Sequence, residues 1–134
     1  MMPKYENTLA YAKATGQVPL EDHEMMYFAD WLRVNKIPFT HVANERVASV
    51  QYKKKLKAMG TSAGFPDMLV FLPGKIVFVE MKRAKKSLSR ASNEQKVWID
   101  TINCYDYAKA KVCYGSGEAI DFIKSELGRK QWRR

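Results

Sequence analysis

Asp67, Glu80 and Lys82 draw attention because their surroundings are apolar. The stretch "GFPDMLVFLPGKIVFVEMKRA" (residues 64–84) is two apolar runs joined by Pro73 and Gly74. Asp67 opens the first run, and Glu80 and Lys82 lie near the end of the second. Pro followed by Gly suits the centre of a tight turn, so the runs read as a β-hairpin. Folded symmetrically, the hairpin sets Leu72 opposite Lys75, Val70 opposite Val77 and Asp67 opposite Glu80. A loop one residue longer or shorter would shift that register. Alternation then places Ile76, Phe78, Glu80 and Lys82 on one face of their strand, and Asp67 with Leu69 and Phe71 on one face of the other. Like charges directly opposite in a sheet repel. A buried, unpaired carboxylate is costly or takes up a proton. A cation between the acids answers both problems. Lys82, two residues along the same face, is one candidate. A divalent metal is the other, since paired carboxylate oxygens suit Mg2+ or Mn2+. The two are compatible: a lysine beside such a metal can orient water and support developing charge. The same spacing also fits an ordinary salt bridge at exposed strand ends.

Two further residues bear on that choice. Residues 20–34 form an amphipathic pattern with Met25, Phe28, Ala29 and Leu32 at helical spacing. Glu21 falls on the apolar stripe, whereas Glu24 lies about 90° from its centre. An acid at the end of a core-facing stripe either caps the helix or points into a site. Gln95 precedes Trp98 by three residues and Ile102 by seven, which puts it on the buried face of its own helix. A buried amide needs partners. A capping box with Ser92 would satisfy it, and so would a site role at a bound water or a phosphate.

Other residues weigh less. His41 lacks a Ser or Cys nucleophile beside it and reads as a core or surface histidine. The "GSG" at 115–117 starts a helix and could touch a phosphate, without the length or lysine of a P-loop. Trp31, Trp98 and the tyrosines read as core and helix-packing residues. Trp132 in the basic tail is the exception.

The elements that position these groups follow from periodicity and breakers. Residues 3–14 read as an arm or short helix. After the first helix, Pro38 is a stop, and residues 39–43 read as a short strand. A basic segment over 44–67 ends in a Gly- and Ser-containing loop before the hairpin. A helix from the Ser92 cap to about Tyr105, a strand over 108–114 and a last helix with Ala119, Ile120, Ile123 and Leu127 on its apolar face complete the chain. The order α-β-loop-β-β-α-β-α predicts a single α/β domain, a mixed central sheet flanked by helices. Residues 1–19 are then an arm, 20–127 the domain and 128–134 a basic tail.

With 134 residues and 46% apolar content the chain can bury one modest core. Its formal charge is +9, unevenly spread: residues 1–45 are net −2 and residues 46–134 net +11. Such a bias points to a polyanion, and nucleic acid is the usual one. Lys53, Lys54, Lys55 and Lys57, with Arg46, precede the hairpin, and Arg83, Lys85, Lys86 and Arg90 follow it. Both clusters flank the acidic pair and suit phosphate-backbone contact. Cys104 and Cys113 form no CxxC pair and lie near no His cluster, which argues against zinc and for two reduced core thiols. No apolar run reaches the ~20 residues of a membrane span, and no signal-peptide core opens the chain. A soluble, cytoplasmic protein is expected.

The "PD" at 66–67 and "EMK" at 80–82 resemble the signature of the PD-(D/E)XK nuclease superfamily. The wider run of "GTSAGFPDMLVF", "IVFVEMKRA", "LSRASNEQKVWIDTI" and "AKVCYGSGEAIDFI" resembles the VRR-NUC family, the virus-type replication-repair nucleases, over about residues 20–127. That resemblance implies a restriction-endonuclease-like fold and phosphodiester hydrolysis with Mg2+ or Mn2+. Asp67, Glu80 and the Met81 carbonyl would bind the metal, and Lys82 would assist the water nucleophile. Gln95 matches the family's helix glutamine, and the first-helix acid corresponds to Glu21, with Glu24 close by. Small stand-alone members, typical of phages, are expected to be homodimers that cut branched DNA such as four-way junctions. A sequence-specific restriction-type endonuclease of the same fold is the nearest alternative. A non-catalytic basic DNA-binding protein is the alternative from another class.

Overall fold

The computed structural model describes residues 18–42 and 49–132, and side chains only as far as Gly128 within the last helix. The expected N-terminal arm up to residue 17, Arg46 and the Trp132 side chain lie outside the described residues. Helix α1 (Glu21–Val34) starts at Leu20, with Glu21, Asp22 and Glu24 in its first turn, where acids complement the helix dipole. Strand β1 (Phe39–His41) follows. It is shorter than the predicted 39–43, since Val42 has left the strand.

The segment read as a basic loop contains a helix, α2 (Val50–Ala58). Ser49 caps it by accepting a hydrogen bond from the Tyr52 N–H at 3.1 Å. Its run of Gln, Lys and Leu is rich in good helix formers, and it buries none of its residues. Apolar periodicity could not reveal a helix without a core face.

The hairpin pairs β2 (Met68–Leu72) with β3 (Lys75–Lys82). The ladder runs from Leu72↔Lys75 to Met68↔Val79, which is the symmetric register. One further step sets Asp67 opposite Glu80. A short 3-10 turn (Lys86–Leu88) leads to α3 (Asn93–Ile102), whose start carries the full Ser92/Gln95 capping box. This helix ends at Ile102 rather than near Tyr105. Asn103 caps it and clamps it to β4 (Ala108–Tyr114): its side chain donates to the Ala110 carbonyl at 2.9 Å and accepts from the Ala110 N–H at 2.8 Å. The last helix, α4 (Ser116–Trp132), is broken at Gly128, where φ is 73°.

The sheet order is β1-β2-β3-β4, antiparallel except for the parallel β3–β4 pair. It is thus the mixed sheet that the element order predicts. Residue alternation gives it two different sides. Met68, Val70, Val77, Val79 and Met81 pack with Phe28, Leu32, Ala119, Ile123 and Leu127 from α1 and α4. On the opposite side Phe78, Ala108 and Ala110 meet Trp98, Ile99 and Ile102 of α3. Glu80 and Lys82 follow Phe78 on this second side, beyond the apolar contacts. Among the described residues no helix is long and apolar enough to cross a membrane.

Two expectations about the core do not hold. Cys113 is buried but Cys104 is exposed, because α3 ends before it. Tyr27, Tyr52, Tyr105 and Tyr107 are also exposed rather than packed in the core.

The link between the hairpin and α3 depends on Gly64. Its φ is +84°, and a Cβ there would lie 2.6–2.7 Å from the Glu94 carbonyl carbon, the Gln95 nitrogen and the Glu94 Cβ. That approach lets Phe65 meet Phe78 and Trp98 edge-on, with ring centroids 5.8 and 5.0 Å apart. The Trp98 indole N–H donates to the Ala63 carbonyl at 3.1 Å. Gly64→Ala adds both left-handed strain and a backbone clash, so it should cost about 2 kcal/mol or more in urea unfolding. A loss below about 0.5 kcal/mol would contradict this close approach.

Candidate active site

Three segments converge on the end of β3. Asp67 precedes β2, and its Oδ2 accepts a hydrogen bond from the Met81 N–H at 2.9 Å. The side chain thereby continues the hairpin ladder past its last backbone pair and is fixed against Glu80's strand. Asp67 is 8% exposed, Glu80 1% and Lys82 7%, so the three are buried and the exposed salt-bridge reading does not apply.

Glu80 has two unlike oxygens. Oε2 accepts from the Gln95 Nε2 at 3.2 Å and lies 3.7 Å from the Lys82 ammonium. Oε1 is buried without a hydrogen-bond partner. Asp67 can engage it only if a proton sits between the two acids. Burial, then the charge of Asp67 and a shared-proton contact with it, push Glu80 up to about 9; Lys82 opposes this and Glu21 adds to it. Lys82 therefore compensates Glu80 only in part.

Gln95 serves both roles that its position allows. Its Oε1 accepts from the Ser92 N–H at 2.8 Å, completing the capping box, while its Nε2 reaches Glu80. The cap thus holds the amide in the orientation that the site uses.

The structure separates the two acids of α1. Glu21 accepts a hydrogen bond from the Ser89 hydroxyl at 2.6 Å and is near enough to Glu80 to raise it. Glu24 is fully buried, although the helical stripe leaves it at the flank. Its Oε1 accepts from both the N–H (3.1 Å) and the hydroxyl (3.0 Å) of Ser116. The reason is a second packing partner: the flank of α1 faces the start of α4. Glu24 therefore occupies the helix start in "GSG" that was a candidate phosphate contact. Gly115, with φ +93°, keeps that approach open, since a Cβ there would lie 3.1 Å from Glu24 Oε2.

The basic residues divide in the same way. Arg83 donates from Nε to the Pro19 carbonyl at 3.1 Å and from Nη2 to the Val18 carbonyl at 2.7 Å, tying the end of β3 to the entry of α1. Lys86 lies over the Tyr114 ring, 5.1 Å from its centroid. Lys85, Arg90 and all four lysines of α2 are exposed.

Among the described residues no three His, Cys, Asp or Glu side chains are grouped closely enough to form a metal cluster by themselves. Two carboxylates, all-oxygen donors and one orphaned carboxylate oxygen nevertheless fit Mg2+ or Mn2+. Mg2+ in particular is commonly held by one or two carboxylates and completed by water and phosphate.

No protein-family profile matches the chain, and no curated protein does. A solved structure described as a "VRR_NUC domain protein" is similar to it, with a TM-score of 0.65 and 23% identity over 81% of this chain and 90% of that one. The chain therefore has the α/β fold of that domain.

The Glu80 environment has a measurable consequence. Without metal, folded Glu80 keeps its proton up to about pH 9, whereas the unfolded chain releases it near 4.5. Stability should therefore fall as pH rises through that interval. Urea midpoints in EDTA should show this slope for the wild type and a flatter one for Glu80→Gln. Parallel slopes would contradict the buried-acid geometry.

Proposed function

We propose that this chain is a metal-dependent nuclease that hydrolyses DNA phosphodiester bonds. The observation that carries the reading is the orphaned Glu80 oxygen beside Asp67, in a fold shared with a VRR_NUC domain protein. Asp67, Glu80 and the Met81 carbonyl would hold Mg2+ or Mn2+. The ion supplies Lewis-acid polarisation of the phosphate and makes water more acidic. Lys82, whose ammonium lies 3.7 Å from Glu80 Oε2, would orient the attacking water and support the charge that grows on the phosphate. Gln95 holds Glu80 by its Oε2, and Glu21, steadied by Ser89, adds negative charge that favours a cation. Water adds to phosphorus as the bond to the leaving oxygen breaks, and the exposed lysines hold the flanking backbone.

The preferred substrate is branched DNA, such as a four-way junction, cut by a homodimer; both details come from the resemblance to stand-alone VRR-NUC nucleases. Asp67→Ala and Lys82→Ala should each lower Mg2+-dependent cleavage by at least about 100-fold while DNA binding is largely kept. A panel of four-way junction, flap and linear duplexes of varied sequence separates junction cutting from restriction. If the wild type cuts none of them with Mg2+ or Mn2+, the nuclease reading is wrong. A sizing run tests the dimer.

A further inference from the structure

A groove of about 920 Å3 opens between α2 and the loop of residues 60–65 and reaches Asp67. That volume lies within the range of ligand-binding clefts. Its wall combines Tyr52, Lys53, Leu56 and Lys57 from α2 with Phe65 and Asp67 from the other side. Tyr52 is 44% exposed, and α2 contains no acidic residue. Phe65 is held by its edge-on contacts with Phe78 and Trp98, so that side of the groove is rigid.

Along α2 the lining is cationic, with Tyr52 and Leu56 beside the lysines, and the acids Asp67 and Glu94 belong to the opposite wall. Charge alone would accept any phosphate backbone. A duplex, however, turns phosphates and sugars outward and stacks its bases away from such a wall. The apolar surface of Tyr52, Leu56 and Phe65 has a partner only where bases are unpaired. Stacking on an aromatic ring with lysines at the phosphates is how sequence-tolerant single-strand binding works.

We propose that this groove holds an unpaired nucleic-acid strand, with a base on Tyr52 and phosphates on Lys53 and Lys57, and leads it to the Asp67–Glu80 pair. The strand's destination rests on the nuclease reading; its binding does not. The selection is for unpaired segments, such as the arms or gaps of a branched substrate. Because α2 buries none of its residues, substitutions there leave the core intact.

The test measures fluorescence anisotropy of a labelled mixed-sequence oligonucleotide in EDTA, as single strand and as duplex. Tyr52→Ala should weaken single-strand binding by about 5- to 150-fold, the range of a stacked base, and duplex binding by less than about twofold. Tyr52→Phe should bind as the wild type does. Lys53→Ala with Lys57→Ala should weaken both forms and flatten the salt dependence. Equal loss on both forms with Tyr52→Ala, or no loss on either, overturns the proposal. If the Tyr52 effect is present but no DNA is cut with Mg2+, the nuclease reading falls and the groove stands.

Discussion

Glu80 sits inside the sheet with Oε2 held by Gln95 and Lys82, and with Oε1 partnered by no hydrogen bond among the described residues. A buried acid in this state moves to solvent, is replaced or keeps its proton, and Glu80, pushed up to about 9, keeps its proton. It cannot move, because β3 is paired on both edges, antiparallel to β2 and parallel to β4, over most of its length. The neighbouring Val79 and Met81 are anchored in the core on the other face. The sheet stabilises the strand, and the strand imposes the position on the acid. Asp67 and Glu21 then make that position more negative. Local stability is given up at a position whose negative charge only a cation or a proton relieves.

The parts around Glu80 are held by groups that do two jobs at once. Gln95 caps α3 with one end of its amide and binds Glu80 with the other. Asp67 closes the hairpin ladder on Met81 and supplies the second acid. Gly64 removes a side chain so that the loop can press on the first turn of α3, which sets the cap and therefore the amide. Shared duties of this kind fix the side chains of the site before any ligand arrives. It also couples fold to site, so a change at Gly64 would be felt at Glu80 without touching it.

The sheet, its register and the capping box were legible because each rests on a local signal: alternation, a Pro-Gly turn, and Ser followed three residues later by Gln. Helix α2 was not, because it lacks a buried face, and only its Ser49 cap and its helix-forming lysines marked it. The full burial of Glu24 was not legible either, for a different reason. Periodicity finds one stripe per helix, but α1 packs against both the sheet and the start of α4, and the second contact is set by tertiary structure. The exposure of Cys104, Tyr105 and Tyr107 likewise depends on where the turn after α3 falls. Arg83 looked like its basic neighbours in sequence, and only the geometry shows its guanidinium occupied by the Pro19 and Val18 carbonyls.

The cations thus divide into those engaged by the protein itself and those left to solvent. Arg83 and Lys86 are engaged by the protein itself, so the positive charge after the hairpin is partly used in holding α1 and β4. The lysines of α2 have no comparable structural duty. A helix that buries nothing gains no core packing energy, and its order rests on its cap and its propensity. Four lysines crowded on nine residues repel one another, which works against that order. A polyanion laid along the helix would reverse the sign of this contribution, turning mutual repulsion into shared attraction. The same ligand would then help to order α2 beside the groove that reaches Asp67, so binding and helix formation would reinforce each other.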